Sequence, residues 1–166
     1  VTDRIRAPVL HVSMWHDFFQ ASAFKAFGRL QAARGDQKLI VLDGTHYEID
    51  DPELWPTKPM FAWFDHWLKG EANGAGNWPA VQYVLAGQPD GELRSSPVWP
   101  PAGTASVVST LAAPERALTI DPSAPVPTLG GSHLTVSSGM LDQTPLLERD
   151  DVAQLQGTPL SAAALL

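Results

Sequence analysis

Ala7-Pro8-Val9-Leu10-His11-Val12-Ser13, the run from Gln20 to Arg34, and Lys38-Leu39-Ile40-Val41-Leu42 decide the fold. The first and last are short and almost continuously apolar, the pattern of parallel strands covered on both faces. Between them Phe24, Phe27, Leu30 and Ala33 recur at helical spacing, and Gly35 stands where a left-handed residue closes a helix. Strand, helix, strand predicts a right-handed parallel crossover. Asp17 then falls in the loop after the first strand, and Asp43-Gly44-Thr45-His46 turns out of the second.

Working outward, a second helix is expected to begin near Pro59, a residue tolerated in a first turn, and to close at Gly70. Met60, Trp63, Phe64, Trp67 and Leu68 form an i, i+3, i+4, i+7, i+8 stripe, read as core packed on the sheet. After the Gly-rich stretch Gly70 to Asn77 the pattern changes. Short β-type runs such as Ala80 to Leu85 and Ala105 to Leu111 alternate with Pro/Gly-rich turns. The fold class is therefore α/β followed by all-β, divided into 1–75 and 76–166, the second part being the start of a sandwich or jelly roll.

Composition narrows the partners. The 166 residues carry a formal net charge of −7 and a pI near 5.0, without the basic stripe that tracks a phosphate backbone, so no nucleic-acid partner is expected. There is no cysteine, which removes disulfides, thiolate metal sites and thiol catalysis but does not fix a compartment, cytoplasmic or secreted. No apolar run approaches the roughly 18 to 20 residues of a membrane helix, so a soluble chain with no membrane partner is expected. The start Val1-Thr2-Asp3-Arg4-Ile5 and the end Ala162-Ala163-Ala164-Leu165-Leu166 lead us to expect a piece of a longer protein.

An acid after one parallel strand and a histidine after the next would both project from the carboxyl edge of the sheet, where open α/β folds place their sites. In a Ser-His-Asp system the carboxylate fixes the imidazole tautomer and the imidazole takes the nucleophile's proton. The order Asp17 then His46 fits the chain order Ser, Asp, His, but no Gly-x-Ser-x-Gly elbow occurs in this chain. Ser13 lies in a strand and Ser22 in a helix, and neither is a credible nucleophile. Such an Asp and His also serve as loop caps and salt-bridge partners. His11, His16, Asp17 and His46 are residue types that bind zinc, yet the odd separation of His11 and His16 turns them apart, and no metal is expected. Asp65, His66, Arg149, Asp150 and Asp151 are read as capping and turn residues.

The ordered motifs are Pro8-Val9-Leu10, Met14-Trp15-His16-Asp17-Phe18-Phe19, Gly44-Thr45-His46, Trp63-Phe64-Asp65-His66-Trp67-Leu68-Lys69-Gly70, Asp121-Pro122 with Pro125-Val126-Pro127-Thr128-Leu129-Gly130-Gly131, and Asp142-Gln143 with Arg149-Asp150-Asp151-Val152. Together they resemble the CocE/NonD hydrolases, a family related to the cocaine esterases and the X-prolyl dipeptidyl-peptidases. The resemblance implies the last part of an α/β-hydrolase domain followed by an incomplete C-terminal jelly roll. Asp17 and His46 would be two members of the catalytic triad, with the serine and the oxyanion hole upstream of Val1. It implies a small-molecule ester or amide substrate, with short X-Pro peptides also admissible, no cofactor, and allows a homodimer. The family's usual Gly-Trp-Tyr-Asp reads Met14-Trp15-His16-Asp17 here. Members that hold a substrate ammonium place acids two and three positions after the catalytic Asp, where this chain has Phe19 and Gln20. Phe19 matches a position that lines the acyl pocket in cocaine-esterase-like members. A non-enzymatic jelly-roll binding or interaction module stands as the alternative function.

Overall fold

The computed structural model describes residues 4–48, 57–86, 91–106, 108, 117–135 and 137–155. Its centre is a four-stranded sheet in the order β1 (Leu10–His16), β2 (Lys38–Thr45), β3 (Val81–Tyr83), β4 (Arg94–Ser96). The first three strands run parallel and β4 closes the far edge antiparallel. Helix α1 (Gln20–Arg34) joins β1 to β2, as a parallel connection requires. It ends where the sequence indicates: Gly35 has φ 76° and its N–H donates to the Gln31 carbonyl. Helix α2 (Thr57–Lys69) follows, and a short α3 (Thr144–Leu147) lies late in the chain.

Phe27, Leu39, Val41, Val81 and Tyr83 form one core cluster, on which Trp15, Phe24 and Trp99 pack. These residues come from α1, alternate positions of β2, and β3, so one face of the sheet is sealed by α1. Phe24 sits between Trp15 and Trp99, with ring centroids 6.1 and 5.0 Å away. The Trp15 indole N–H donates to the Val84 carbonyl at 2.7 Å and ties the end of β1 to the segment after β3. Met14 and Ile40, of the opposite parity, are also fully buried, as expected of strands covered on both faces.

The strands differ in extent and pairing from the sequence expectation. β1 starts at Leu10 instead of Ala7 and runs past Ser13 through Met14 and Trp15 to His16, and β2 runs past Leu42 to Thr45, because the backbone ladder continues whatever the side chains are. Val81–Tyr83, assigned to the second, all-β part, is the third strand of the same sheet, paired with β2 from Leu39↔Val81 to Val41↔Tyr83. The sheet therefore continues past the Gly-rich stretch. Among the described residues no second sheet follows β4, only the isolated Gly131↔Gly139 bridge. Residues 107 and 109–111 of the expected run Ala105 to Leu111 lie outside the described residues.

The α2 stripe divides. Trp63 is buried, packed on Trp67 and Trp78, whereas Phe64, Trp67 and Leu68 are exposed along with Phe61. Period alone does not say what covers a helix. Among the described residues the sheet ends at β1, which pairs only with β2.

His11 on β1 meets the Phe27 ring edge-on at 5.9 Å. Burial pushes its imidazole below the usual 6.5, and the neighbouring Gln37 side chain opposes this only in part. The unfolded chain therefore takes the proton first, and stability is lost as the pH falls through 6.5 toward the lowered folded value. We expect His11→Leu to flatten that part of a urea-midpoint-against-pH series. An unchanged slope would assign the titration to another group.

Candidate active site

Asp17 follows β1 directly. Its own N–H donates to the Met14 carbonyl at 3.1 Å and its carbonyl accepts the Gln20 N–H at 3.0 Å, so the residue forms the corner from strand to α1. The side chain is 4% exposed. Oδ1 accepts the Phe19 backbone N–H at 2.8 Å, a local turn that fixes the carboxylate before any partner arrives.

His46 reaches this carboxylate from the next strand. The ladder pairs Met14 with Leu42 but His16 with Thr45, so β2 spends one residue more than β1 over the same interval. That irregularity includes Gly44 at φ 130°, and such bulges re-aim the chain at strand ends. The short 3-10 turn His46–Glu48 starts there. His46 Nδ1 lies 3.2 Å from Asp17 Oδ1. The two side chains the sequence singles out as acid and base, 29 residues apart, are thus brought together.

A carboxylate at Nδ1 favours the tautomer with the proton on that nitrogen, leaving the lone pair on Nε2 to accept one. The imidazole is about one-third exposed, and aromatic rings surround it. Phe18 lies 4.5 Å away, Phe19 at 5.5 Å and Tyr47 at 6.3 Å, centroid to centroid. Phe19 and Tyr47 are more than half exposed. Phe19 therefore stands beside the His46 imidazole, whereas Gln20 is committed elsewhere, its amide donating to the Trp15 carbonyl at 3.0 Å. Sequence reasoning singles out neither Phe18 nor Tyr47 for the site. Their adjacency to Asp17 and His46 is the only signal either carries.

Other candidates separate from this pair. His11 faces α1, and its Nε2, like that of His16, is buried without a hydrogen-bond partner. Among the described residues no three His, Asp or Glu side chains form a group that could hold a metal ion. His66 Nδ1 pairs with the Glu71 carbonyl at 2.9 Å beyond the end of α2, and Lys69 pairs with Asp65. Both contacts are local to the helix end. Arg149 makes a two-pronged pair with Asp151 and also donates to the Ala124 carbonyl. An apolar cavity of about 210 Å³ between Pro8, Val9, Leu10 and Met60, Trp63, Phe64 lies at the opposite end of β1 from Asp17, and belongs to packing. No described helix is long and apolar enough to cross a membrane.

No family model matches the chain. It is 26% identical over 184 aligned positions to the cocaine esterase of Rhodococcus sp. (strain MB1 Bresler), an alignment covering 89% of this chain and 32% of that enzyme. The structure is similar to a CocE/NonD family hydrolase from Staphylococcus aureus at a TM-score of 0.53 and 25% identity, over 61% of this chain and 18% of the other. A second crystal structure of that hydrolase aligns at a TM-score of 0.48 and 23% identity, over the same shares. The chain thus spans about a third of the curated relative and less than a fifth of the solved one. The likeness runs through the sequence and the fold together, and over the part it spans the chain is similar to CocE/NonD family hydrolases.

Proposed function

We propose that this chain supplies the acid and the base of a Ser-His-Asp acyl hydrolase, Asp17 orienting His46, and that the serine and oxyanion hole come from polypeptide outside it. The observation that carries the reading is the 3.2 Å approach of His46 Nδ1 to a buried carboxylate already anchored by a backbone N–H. In this scheme His46 Nε2 removes the serine proton as Oγ attacks the substrate carbonyl. The same proton then passes to the departing alcohol or amine, leaving an acyl-enzyme that water cleaves by the same relay. No cofactor takes part.

Two features narrow the substrate to uncharged carboxylic esters over ammonium-bearing ones. Phe19 and Tyr47 offer exposed aromatic surface beside the base, and positions 19 and 20 hold no carboxylate. Phe19 is assigned to the wall of the acyl pocket. On the same reading the chain after β4 enters a jelly roll.

A serine-directed fluorophosphonate tests the scheme. A full-length polypeptide containing this chain should take the label, and the 166-residue chain alone should not, because a base and its orienting acid without nucleophile or oxyanion hole stabilise little of the transition state. Esterase turnover by the isolated chain that is lost in His46→Ala would refute the division of the triad.

A further inference from the structure

Several of the late family motifs build a single feature. Gly131 and Gly139 exchange both backbone hydrogen bonds, at 2.8 and 2.9 Å. The Gly130 N–H donates to the Ser137 carbonyl at 2.9 Å, and the Gln143 amide donates to the Leu129 carbonyl at 3.0 Å. The result is a clasp between residues 129–131 and 137–143 whose inner residues Gly130, Ser138 and Gly139 are buried.

Glycine is required twice for different reasons. A Cβ at Gly130 would stand 2.9 Å from the Gly139 carbonyl oxygen, inside the clasp itself. A Cβ at Gly139, where φ is 100°, would stand 2.9 Å from Cγ2 of Thr45. The clasp thus rests on the residue that precedes His46 in the chain, at the end of the irregular β2 ladder.

We propose that this clasp is a positioning device for the histidine, and that Gly139, through Thr45, holds the corner that keeps His46 Nδ1 on Asp17. Its catalytic meaning rests on the hydrolase reading. The structural claim does not. β2 ends at Thr45 after a register shift, so the ladder alone leaves the direction of the next residue weakly fixed. A rigid backbone wall against the Thr45 methyl removes that freedom. Imidazole placement at this level is what second-layer supports of catalytic groups provide.

The test reads the histidine instead of turnover. In a full-length polypeptide containing this chain, labelled with ¹⁵N-histidine and at threonine methyls, long-range ¹H–¹⁵N correlation reports the tautomer of neutral His46, and an NOE reports Gly139 Hα against the Thr45 methyl. The unmodified chain should show the Nδ1–H tautomer and the NOE. Gly139→Ala should shift His46 toward Nε2–H, and adding Thr45→Ser, which deletes Cγ2 and keeps the hydroxyl, should restore it. Gly103→Ala imposes comparable backbone strain at φ 86° in open space and should leave His46 unchanged. An unaltered tautomer in Gly139→Ala, or no recovery in the double variant, overturns the proposal. So does absence of the NOE, which needs no variant to fold. Because none of these readouts involves a serine, failure of the fluorophosphonate experiment would leave them standing, and their failure would leave that labelling standing.

Discussion

On the proposed hydrolase reading, Asp17→Asn in a full-length polypeptide containing this chain should lower kcat by about 10⁴ while leaving KM within a few-fold. The amide is nearly the size of the carboxylate and the corner from β1 into α1 keeps its backbone hydrogen bonds, but Oδ1 both accepts the Phe19 N–H and faces His46 Nδ1, so an amide that turns its N–H to the imidazole gives up the Phe19 turn. What changes is the partner offered to His46 Nδ1. An amide that presents N–H there selects the tautomer with the proton on Nε2, and the base arrives at the serine already occupied. It also withdraws the negative charge that stabilises imidazolium in the transition state. A loss of less than tenfold in steady-state ester hydrolysis would remove Asp17 from the triad and leave it a structural residue of the turn.

His46→Ala should cost more, on the order of 10⁶ in kcat, because it removes the proton acceptor itself. The two losses should not add. Without the imidazole, Asp17 has nothing to orient, so the double variant should be about as slow as His46→Ala alone. His46 is one-third exposed and outside the main core cluster, so its removal should leave thermal unfolding nearly unchanged, which separates a chemical from a structural defect.

Much of this arrangement is legible in the sequence where local chemistry decides it. Phe27 and Leu30 turn inward at helical spacing and Gly35 ends α1, because period and a left-handed residue act within a few positions. Asp17 and His46 can be placed at neighbouring strand ends for the same reason, since one parallel crossover brings them there. The remainder depends on contacts that no local pattern encodes. His16 and Thr45 extend the ladder although neither is apolar, since backbone pairing ignores side-chain polarity once the register is set. Val81–Tyr83 has only three residues, too few for alternation to reveal which sheet it joins. Phe64, Trp67 and Leu68 show the period of a buried stripe, but burial also needs a partner surface, and the described residues leave these three exposed. The contact of Gly139 with Thr45 spans more than half the chain and rests on the absence of a side chain, which leaves no signature except the glycine itself.

The central claim is that His46 serves as the base, and chemical rescue tests it most directly. Ester hydrolysis by full-length His46→Ala should be nearly abolished and should recover in part, with saturation, when free imidazole is added, since the vacated space beside Asp17 Oδ1 and the Phe18 and Phe19 rings fits that molecule. Addition to the Asp17→Asn variant should give no comparable gain, because its own imidazole still fills the site. Turnover by His46→Ala within tenfold of the unmodified enzyme, with no response to imidazole, would contradict the assignment.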